Sequence, residues 1–297
     1  MELGKNFEVF LIDGDVTGRI KCTLENWTGV VYKIPRKQLK KCKDRQDLKR
    51  SGVYFLFGKN NDGEDEVYIG QARVRKNGEG VLFRVEEHVK RGSDFTDAVM
   101  ITTQNNSFGP TEISYLENRF TNLAIKADRY KVRNGNDPNP GHVTEGKKSG
   151  LEYFIEYAKM FLGVLGYKVF VSLEDEKTET EPVAPKEEIF YLEVKPTKSK
   201  ISIHAEGKRT NEGFVVLKGS MIKEVDSVSL RNSIKELRDK CKANGEIKDG
   251  KLTKNRLFNS PSYAAKFVLG TNINGRIYWK TKEGITLKDL EEKELQE

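Results

Sequence analysis

Cysteine and histidine are scarce in this chain of 297 residues, which has three of each. Cys22, Cys42 and Cys241 lie far apart and never form a Cys-x-x-Cys pair, so the sequence predicts neither a disulfide framework nor a zinc site. No cysteine lies near a histidine in the sequence, which argues against a His/Cys zinc enzyme. We therefore expect the cysteines to be reduced thiols.

Long apolar runs are also missing. No stretch approaches the roughly 18 apolar residues that a membrane-spanning helix needs. The first residues, Met-Glu-Leu-Gly-Lys, lack the apolar segment of a secretory signal. These two absences predict a soluble, cytoplasmic protein with no membrane partner.

Positive charge is in modest excess, with 52 Lys and Arg against 45 Asp and Glu, a net charge of +7. The stretch from Glu174 to Glu188 holds seven carboxylates and two lysines, a net charge of −5, so the rest of the chain carries +12. Such a distribution suits a phosphate-rich partner such as nucleic acid.

The length of the chain exceeds the usual size of one domain, so we expect two hydrophobic cores. The acidic stretch has almost no large apolar residues and predicts a flexible linker at residues 174–188. We accordingly divide the chain into a strand-containing N-terminal extension (residues 1–50), a first domain (51–173), the linker, and an accessory domain (189–297).

Sequence periodicity predicts an α+β fold in both domains. Before the linker it predicts strands at Phe7–Ile12, Gly29–Ile34, Gly52–Phe57 and Glu66–Ile69, and helices at Val81–Val89, from about Thr111, and after Ser149, where Ser149 and Glu152 match a capping box. After the linker it predicts strands at Ile189–Val194, Ile201–Ala205, Gly213–Leu217 and Arg276–Lys280, and helices at Ser229–Cys241 and Tyr263–Leu269. The basic run from Pro35 to Arg50 fits a solvated helix or loop, or a phosphate-contacting arm.

Some of these positions suit phosphodiester hydrolysis, which needs an activated water, positive charge on the phosphoryl oxygens and usually a divalent cation. Arg84 and His88 are four residues apart on a predicted helix and therefore share one face, where the Arg fork can bind two phosphoryl oxygens. Glu117 lies beside the apolar stripe of the next helix, where a carboxylate needs a positive partner, and either Mg²⁺ or Arg84 would serve.

Tyr54 and Tyr68 lie on the two strands of the predicted hairpin, so both phenols can reach one site. Each of these residues also has an ordinary structural explanation. A tyrosine at the end of a buried strand is usually core, an Arg/His pair is usually a solvated face, and a Glu beside an apolar stripe usually reaches out to water. The order of the residues along the chain favours the functional interpretation.

That ordered set resembles the motifs of the GIY-YIG nuclease family over about residues 51–140. It consists of Gly52-Val53-Tyr54, Tyr68-Ile69-Gly70, Arg84 with His88, Glu117 and Asn134. Val53 stands in place of Ile, and the 13 residues between the two tyrosines make a slightly longer gap than family examples show. The resemblance implies a small antiparallel sheet flanked by helices, and a DNA endonuclease that uses Mg²⁺ or Mn²⁺ and no small-molecule cofactor.

The resemblance also implies roles for individual residues. Tyr54 is expected to be the base or the phenol that orients the water, with Tyr68 on the adjacent strand. Arg84 is expected to contact the scissile phosphate, and Glu117 to hold one divalent metal ion.

Two further positions have supporting roles in this family. His88 is expected to support proton transfer or phosphate binding. Asn134 is expected to lie beside the site, with Asn136 as an alternative because Arg133-Asn134-Gly135-Asn136 can be aligned in two ways.

The segments Asn26-Trp27-Thr28-Gly29 and Ser260 to Lys280 resemble, less specifically, bacterial GIY-YIG proteins whose C-terminal module accompanies DNA-modification and restriction proteins. This implies a DNA-contacting accessory domain. Its basic residues, including Lys254, Arg256 and Lys280, are interleaved with Tyr263, Tyr278 and Trp279, which suits phosphate contact with base stacking. Trp279 fits an ordinary core position equally well.

Two other function classes stay open at this point. One is a DNA-binding protein that keeps the nuclease fold without activity. The other is a regulatory protein-interaction module whose basic surface is unrelated to nucleic acid. The sequence leaves the oligomeric state open.

Overall fold

The computed structural model describes residues 4–134, 139–173, 188–194 and 202–296. They divide into two compact units, residues 1–172 and 173–297, each with its own hydrophobic core. Both units mix helices and strands, so the predicted α+β class is confirmed. Asn136 and residues 174–187 of the predicted linker lie outside the described residues. None of the described helices combines the length and the apolar character needed to cross a lipid bilayer.

The first unit is built on a seven-stranded sheet. Its strands are β1 (Glu8–Leu11), β2 (Ile20–Thr23), β3 (Gly29–Pro35), β4 (Gly52–Lys59), β5 (Asp65–Ala72), β6 (Asp97–Thr103) and β7 (Lys131–Val132). They lie in the order β1-β2-β3-β6-β4-β5-β7, and every neighbouring pair is antiparallel except β5 with β7. The sheet is larger than the small sheet expected because residues 1–50 add three strands to it.

Helices cover both faces of this sheet: α1 (Val81–Lys90) lies on one face, and α2 (Pro110–Ala127) and α3 (Glu145–Val164) lie on the other. Side chains alternate along a strand, so β4 sends Tyr54 and Leu56 towards α1 and sends Val53 and Phe55 towards α2 and α3. This alternation places Tyr54 beneath α1.

The basic run between β3 and β4 forms two 3₁₀ turns, Arg36–Cys42 and Gln46–Lys49. Each turn buries one leucine, Leu39 in the first and Leu48 in the second. The run is therefore anchored to the core on one side while its basic side chains lie along the other.

Helix α3 begins earlier than the capping box predicted. It starts at Glu145, so Ser149 lies inside the helix and Glu152 does not cap its end. Glu152 instead pairs with Arg119 of α2 at 2.6 Å and accepts a hydrogen bond from the Tyr115 hydroxyl. A charged partner on a neighbouring helix stabilises this carboxylate more than a backbone N–H does, so the local capping pattern is overridden.

Trp27 closes the core between β3 and α3. Its ring centroid lies 4.7 Å from that of Phe154 and 5.1 Å from that of Phe161. The indole also lies across Gly29, where an added Cβ would come within 2.1 Å of it. The Asn26-Trp27-Thr28-Gly29 segment is therefore explained by packing.

The second unit contains a four-stranded antiparallel sheet, a small hairpin and four helices. The elements are β8 (Ile189–Val194), β9 (Ile203–Thr210), β10 (Gly213–Val216), α4 (Asn232–Ala243), β11 (Ile247–Lys248), β12 (Lys251–Leu252), β13 (Arg256–Phe258), α5 (Pro261–Leu269), α6 (Gly275–Tyr278) and α7 (Leu287–Glu294). The sheet has the order β13-β10-β9-β8, and β11 pairs with β12.

The strand predicted at Arg276–Lys280 is wrong, because most of this segment is the short helix α6. Trp279, which follows the helix, is completely buried and packs 4.7 Å from the ring of Phe214. Its indole N–H donates to the Pro261 carbonyl at 2.9 Å. Packing of this one large side chain decides the backbone conformation against the local strand preference.

We expect Gly29→Ala to lower the free energy of unfolding by about 1–3 kcal/mol, because its Cβ would displace the Trp27 ring. Urea unfolding measures the change. Gly150→Ala is the control: it lies inside α3 with open space around its Cβ, and should leave stability unchanged or raise it by about 0.5–1 kcal/mol. Equal losses in both variants would contradict this account of Trp27.

Candidate active site

Tyr54 lies buried under α1, and its hydroxyl oxygen is 2.8 Å from Nε2 of His88. Burial raises the pKa of the Tyr54 phenol. Burial, followed by the positive charge of Arg84, lowers the pKa of His88 below 6.5. The lowered pKa favours the neutral imidazole at pH 7, and in the tautomer that carries its proton on Nδ1 the ring accepts the phenol proton at Nε2. The Tyr54 oxygen keeps lone pairs that can accept a hydrogen bond from a water molecule.

Tyr68 of β5 completes an aromatic cluster around this pair. Its ring centroid lies 6.2 Å from that of Tyr54 and 4.9 Å from that of His88. Gly70, two residues further along β5, leaves room for the cluster, since a Cβ there would lie 2.4 Å from the Tyr54 hydroxyl oxygen. The fold therefore requires glycine at position 70, because a side chain there would clash with Tyr54.

Arg84 lies one helical turn before His88, with 32 % of its side chain exposed. Its Nη1 pairs with Glu87 at 2.8 Å, and Glu87 also pairs with Arg75 at 2.8 Å. The hydrogen bond to Glu87 and the nearby Tyr54 phenol raise the pKa of Arg84, against the effect of burial. The site thus has a permanently charged guanidinium that is partly open to solvent.

Glu117 lies on α2, on the opposite face of the sheet from Tyr54. Its Oε2 accepts a hydrogen bond of 2.9 Å from Nε2 of Gln71, and that amide also donates to Ser114 Oγ at 3.1 Å. Burial raises the pKa of Glu117 above 4.5, while the Gln71 hydrogen bonds and the more distant charge of Arg84 oppose the rise. The two faces therefore interact electrostatically around the edge of β5.

The ion pair between Arg84 and Glu117 that the sequence allowed does not form, because Arg84 pairs with Glu87. Across the part of the chain that the structure describes, no Lys or Arg forms an ion pair with Glu117. Its carboxylate is held by the neutral amide of Gln71, which leaves its negative charge uncompensated. This is the setting in which a carboxylate favours a cation.

Asn134 holds the outer edge of β5. Its Oδ1 accepts a hydrogen bond from the Ile69 N–H at 3.0 Å, and its Nδ2 donates to the Ile69 carbonyl at 2.6 Å. These bonds continue the pairing of β5 after β7 ends at Val132. Asn134 therefore fixes the strand that carries Tyr68 and Gln71. Its effect on the aromatic cluster of Tyr54, Tyr68 and His88 is to hold that strand in place.

A divalent cation at this site would have one protein carboxylate as a ligand, that of Glu117. Within residues 4–134, 139–173, 188–194 and 202–296, no group of three or more His, Cys, Asp or Glu side chains is arranged to hold a metal ion. Glu117 offers a single half-buried carboxylate. Mg²⁺ is commonly bound through one or two carboxylates, and takes its remaining ligands from water and phosphate oxygens.

Sequence reasoning missed two residues that organise the site. Gln71 follows the Tyr68-Ile69-Gly70 motif, and strand alternation would have assigned it to the face opposite Tyr68, where α2 lies. Glu87 lies three residues after Arg84 on the same helix, a spacing typical of ion pairs. Both signals were present in the sequence.

The basic residues proposed for DNA contact in the second unit differ in their surroundings. Arg256 pairs with Glu246, and Lys254 lies 3.6 Å from the same carboxylate. Lys280 is exposed, and its backbone pairs with Tyr191 of β8. Trp279 is core and has no face open for base stacking.

We expect Glu117→Gln to raise the free energy of unfolding at pH 7. The folded-state pKa of Glu117 lies above the unfolded value near 4.5, so its favourable contribution is present below pH 4.5 and is lost as the pH rises through the folded-state pKa. Replacing the buried charge removes that cost. Urea unfolding with EDTA, at pH 7 and at pH 4, measures the difference, which should shrink at pH 4.

Glu152→Gln is the matched control for this experiment. The hydrogen bond from Arg119 lowers the pKa of Glu152, so this carboxylate stabilises the fold above pH 4.5 and its loss should be destabilising at pH 7. If both variants lose stability at pH 7, Glu117 is an ordinary paired carboxylate.

A known protein family matches part of the second unit. Residues 196–291 match a family described as "Domain of unknown function (DUF4357)", which covers about a third of the chain and leaves the first unit without a matching family. No curated protein matches the chain. No solved structure matches it either. The C-terminal module of this protein is thus similar to the DUF4357 domain.

Proposed function

We propose that this protein is a cytoplasmic, metal-dependent endonuclease that hydrolyses phosphodiester bonds of DNA. The observation that carries the proposal is the hydrogen bond from the buried Tyr54 hydroxyl to a neutral His88, beside the half-exposed Arg84. Glu117, around the edge of β5, adds a carboxylate without an ionic partner. The ordered GIY-YIG motif pattern in the sequence supports the same conclusion.

Tyr54 and His88 form a relay that can take a proton from water. A water molecule donates a hydrogen bond to the Tyr54 oxygen, and the Tyr54 proton already lies in a hydrogen bond to His88 Nε2. As the water oxygen attacks phosphorus, the P–O bond to the leaving alkoxide breaks and the alkoxide takes a proton from solvent. The proton of the attacking water passes to Tyr54, and the Tyr54 proton passes to Nε2. The high pKa of Tyr54 is no obstacle, because the phenol never has to exist as a free phenolate.

Positive charge at the site complements the phosphate. Arg84 can form two parallel hydrogen bonds to phosphoryl oxygens, and a phosphate would compete with Glu87 for its guanidinium. Glu117 would hold one divalent cation, with Gln71 and Ser114 fixing the orientation of the carboxylate. When bound, the cation supplies further positive charge to the oxygens of the phosphate and of the leaving group.

We expect Tyr54→Phe, Arg84→Ala and Glu117→Gln each to reduce the rate of plasmid nicking by about 10²-fold or more. The reason is that each removes a group that acts on the water, the phosphate or the cation. The measurement is single-turnover cleavage of supercoiled DNA with Mg²⁺ or Mn²⁺. Glu112→Gln is the matched control, since Glu112 lies on the same helix as Glu117 but pairs with Lys147.

Two results would count against the proposal. Undiminished cleavage by Glu117→Gln would remove Glu117 as the metal ligand. A wild-type protein that cuts none of supercoiled, branched or single-stranded DNA with either cation would remove the enzymatic function and leave a binding role.

A further inference from the structure

A groove of about 710 Å³ opens on the second unit, and none of its lining residues belongs to the candidate active site. One wall is the face of β8 and β9 that lies opposite the core, and the other is the segment from α6 to the following turn. The groove is lined by Tyr191, Glu193, His204, Ile277, Tyr278, Lys280, Thr281, Lys282 and Gly284. Its volume falls within the range of small-molecule and nucleotide sites.

Aromatic and apolar side chains line part of this groove. Tyr191 belongs to β8, and its ring lies 6.2 Å from that of His204. Across the groove, Ile277 is 45 % exposed and Tyr278 is 36 % exposed, whereas the next residue, Trp279, is fully buried. Exposed rings of this kind are the usual platforms on which unpaired bases stack.

The basic side of the groove is formed by Lys280 and Lys282, which are both exposed. Neither lysine forms an ion pair with any residue that the structure describes, whereas Arg256 and Lys254 both lie against Glu246. The two groove lysines are therefore the cations best placed to meet phosphate groups.

The other end of the groove is acidic, because the carboxylate of Glu193 lines it. His204 lies 3.3 Å from the carboxylate of Glu193 and 3.3 Å from that of Glu206. Because Tyr191 pairs antiparallel with Lys280, the chain beyond Lys280 runs away from Glu193 along β8. Hydrogen-bonding groups and cationic groups are thus separated along the groove, with the aromatic surface between them.

We propose that this groove binds single-stranded nucleic acid. A base stacks on Tyr278 and Tyr191, the adjoining phosphates contact Lys280 and Lys282, and the acidic end meets the edge of an unpaired base. A duplex hides the faces of its bases, so the aromatic surface favours single strands. The choice of nucleic acid as the ligand rests on the proposed function. The inference adds to that function the surface that would hold a single strand.

The test uses fluorescence anisotropy with the full-length protein, a labelled 12-nucleotide oligothymidylate and EDTA. We expect Tyr278→Ala to weaken binding about tenfold, because loss of one stacking partner costs roughly that much. The pair Lys280→Gln with Lys282→Gln should lower the slope of log K against log salt by about 1.4, at roughly 0.7 per phosphate contact. The Tyr278→Ala substitution should weaken binding of the single strand more than binding of a duplex of the same length, because the first unit is itself proposed to act on duplex DNA.

Two controls accompany these variants. Tyr153→Ala removes a tyrosine of the first unit that is 57 % exposed, and Lys288→Gln removes a lysine of α7 that lies 3.5 Å from Glu292. Both should bind the oligonucleotide as the wild type does. Unfolding midpoints equal to that of the wild type show that the groove variants are folded.

The proposal is overturned if Tyr278→Ala binds the single strand as tightly as the wild type, or if this substitution weakens single-strand and duplex binding equally. It is also overturned if a polyglutamate peptide displaces the oligonucleotide equally well from the wild type and from Tyr278→Ala. Binding in EDTA is read without cleavage, so failure here leaves the results for the Tyr54 and Glu117 variants standing. A protein that binds as expected but never cuts DNA overturns the nuclease proposal alone.

Discussion

The hydrogen bond between Tyr54 and His88 is the interaction on which the rest of the site depends. It requires β4 to present Tyr54 towards α1, and it requires α1 to place Nε2 of His88 at the Tyr54 hydroxyl. Gly70 on β5 leaves the space in which the hydroxyl lies. Burial of His88 in this packing, followed by the charge of Arg84, lowers the pKa of the imidazole, so packing also sets its proton affinity.

The edge of β5 is the second constraint, because the site lies on both faces of the sheet. Asn134 pairs with the backbone of Ile69, and Glu117 takes the amide of Gln71. Asn134 thereby satisfies the backbone of a strand edge that β7 covers only in part. Glu117, the carboxylate proposed to hold a cation, is fixed by a side chain of the same strand.

In the second unit, the ion pairs of the basic residues decide how much positive charge a phosphate could meet, more than the number of basic residues does. Arg256 and Lys254 share the carboxylate of Glu246, and Arg276 pairs with Glu291. A count of basic residues therefore overstates the charge available to a phosphate. Lys280 stands apart because its backbone is fixed by pairing with β8 while its side chain is exposed.

The sequence by itself determined the α+β class, the β4–β5 hairpin and the helices that carry Arg84 and Glu117, because strand alternation and helical spacing are local signals. Only the tertiary structure decided that Trp279 is core and that Glu152 pairs with Arg119. The physical reason is the same in each case. A large ring or a charged side chain adopts the contact that lowers the free energy of the fold most. In both cases that contact is with a residue on another helix or strand, which local sequence spacing does not identify.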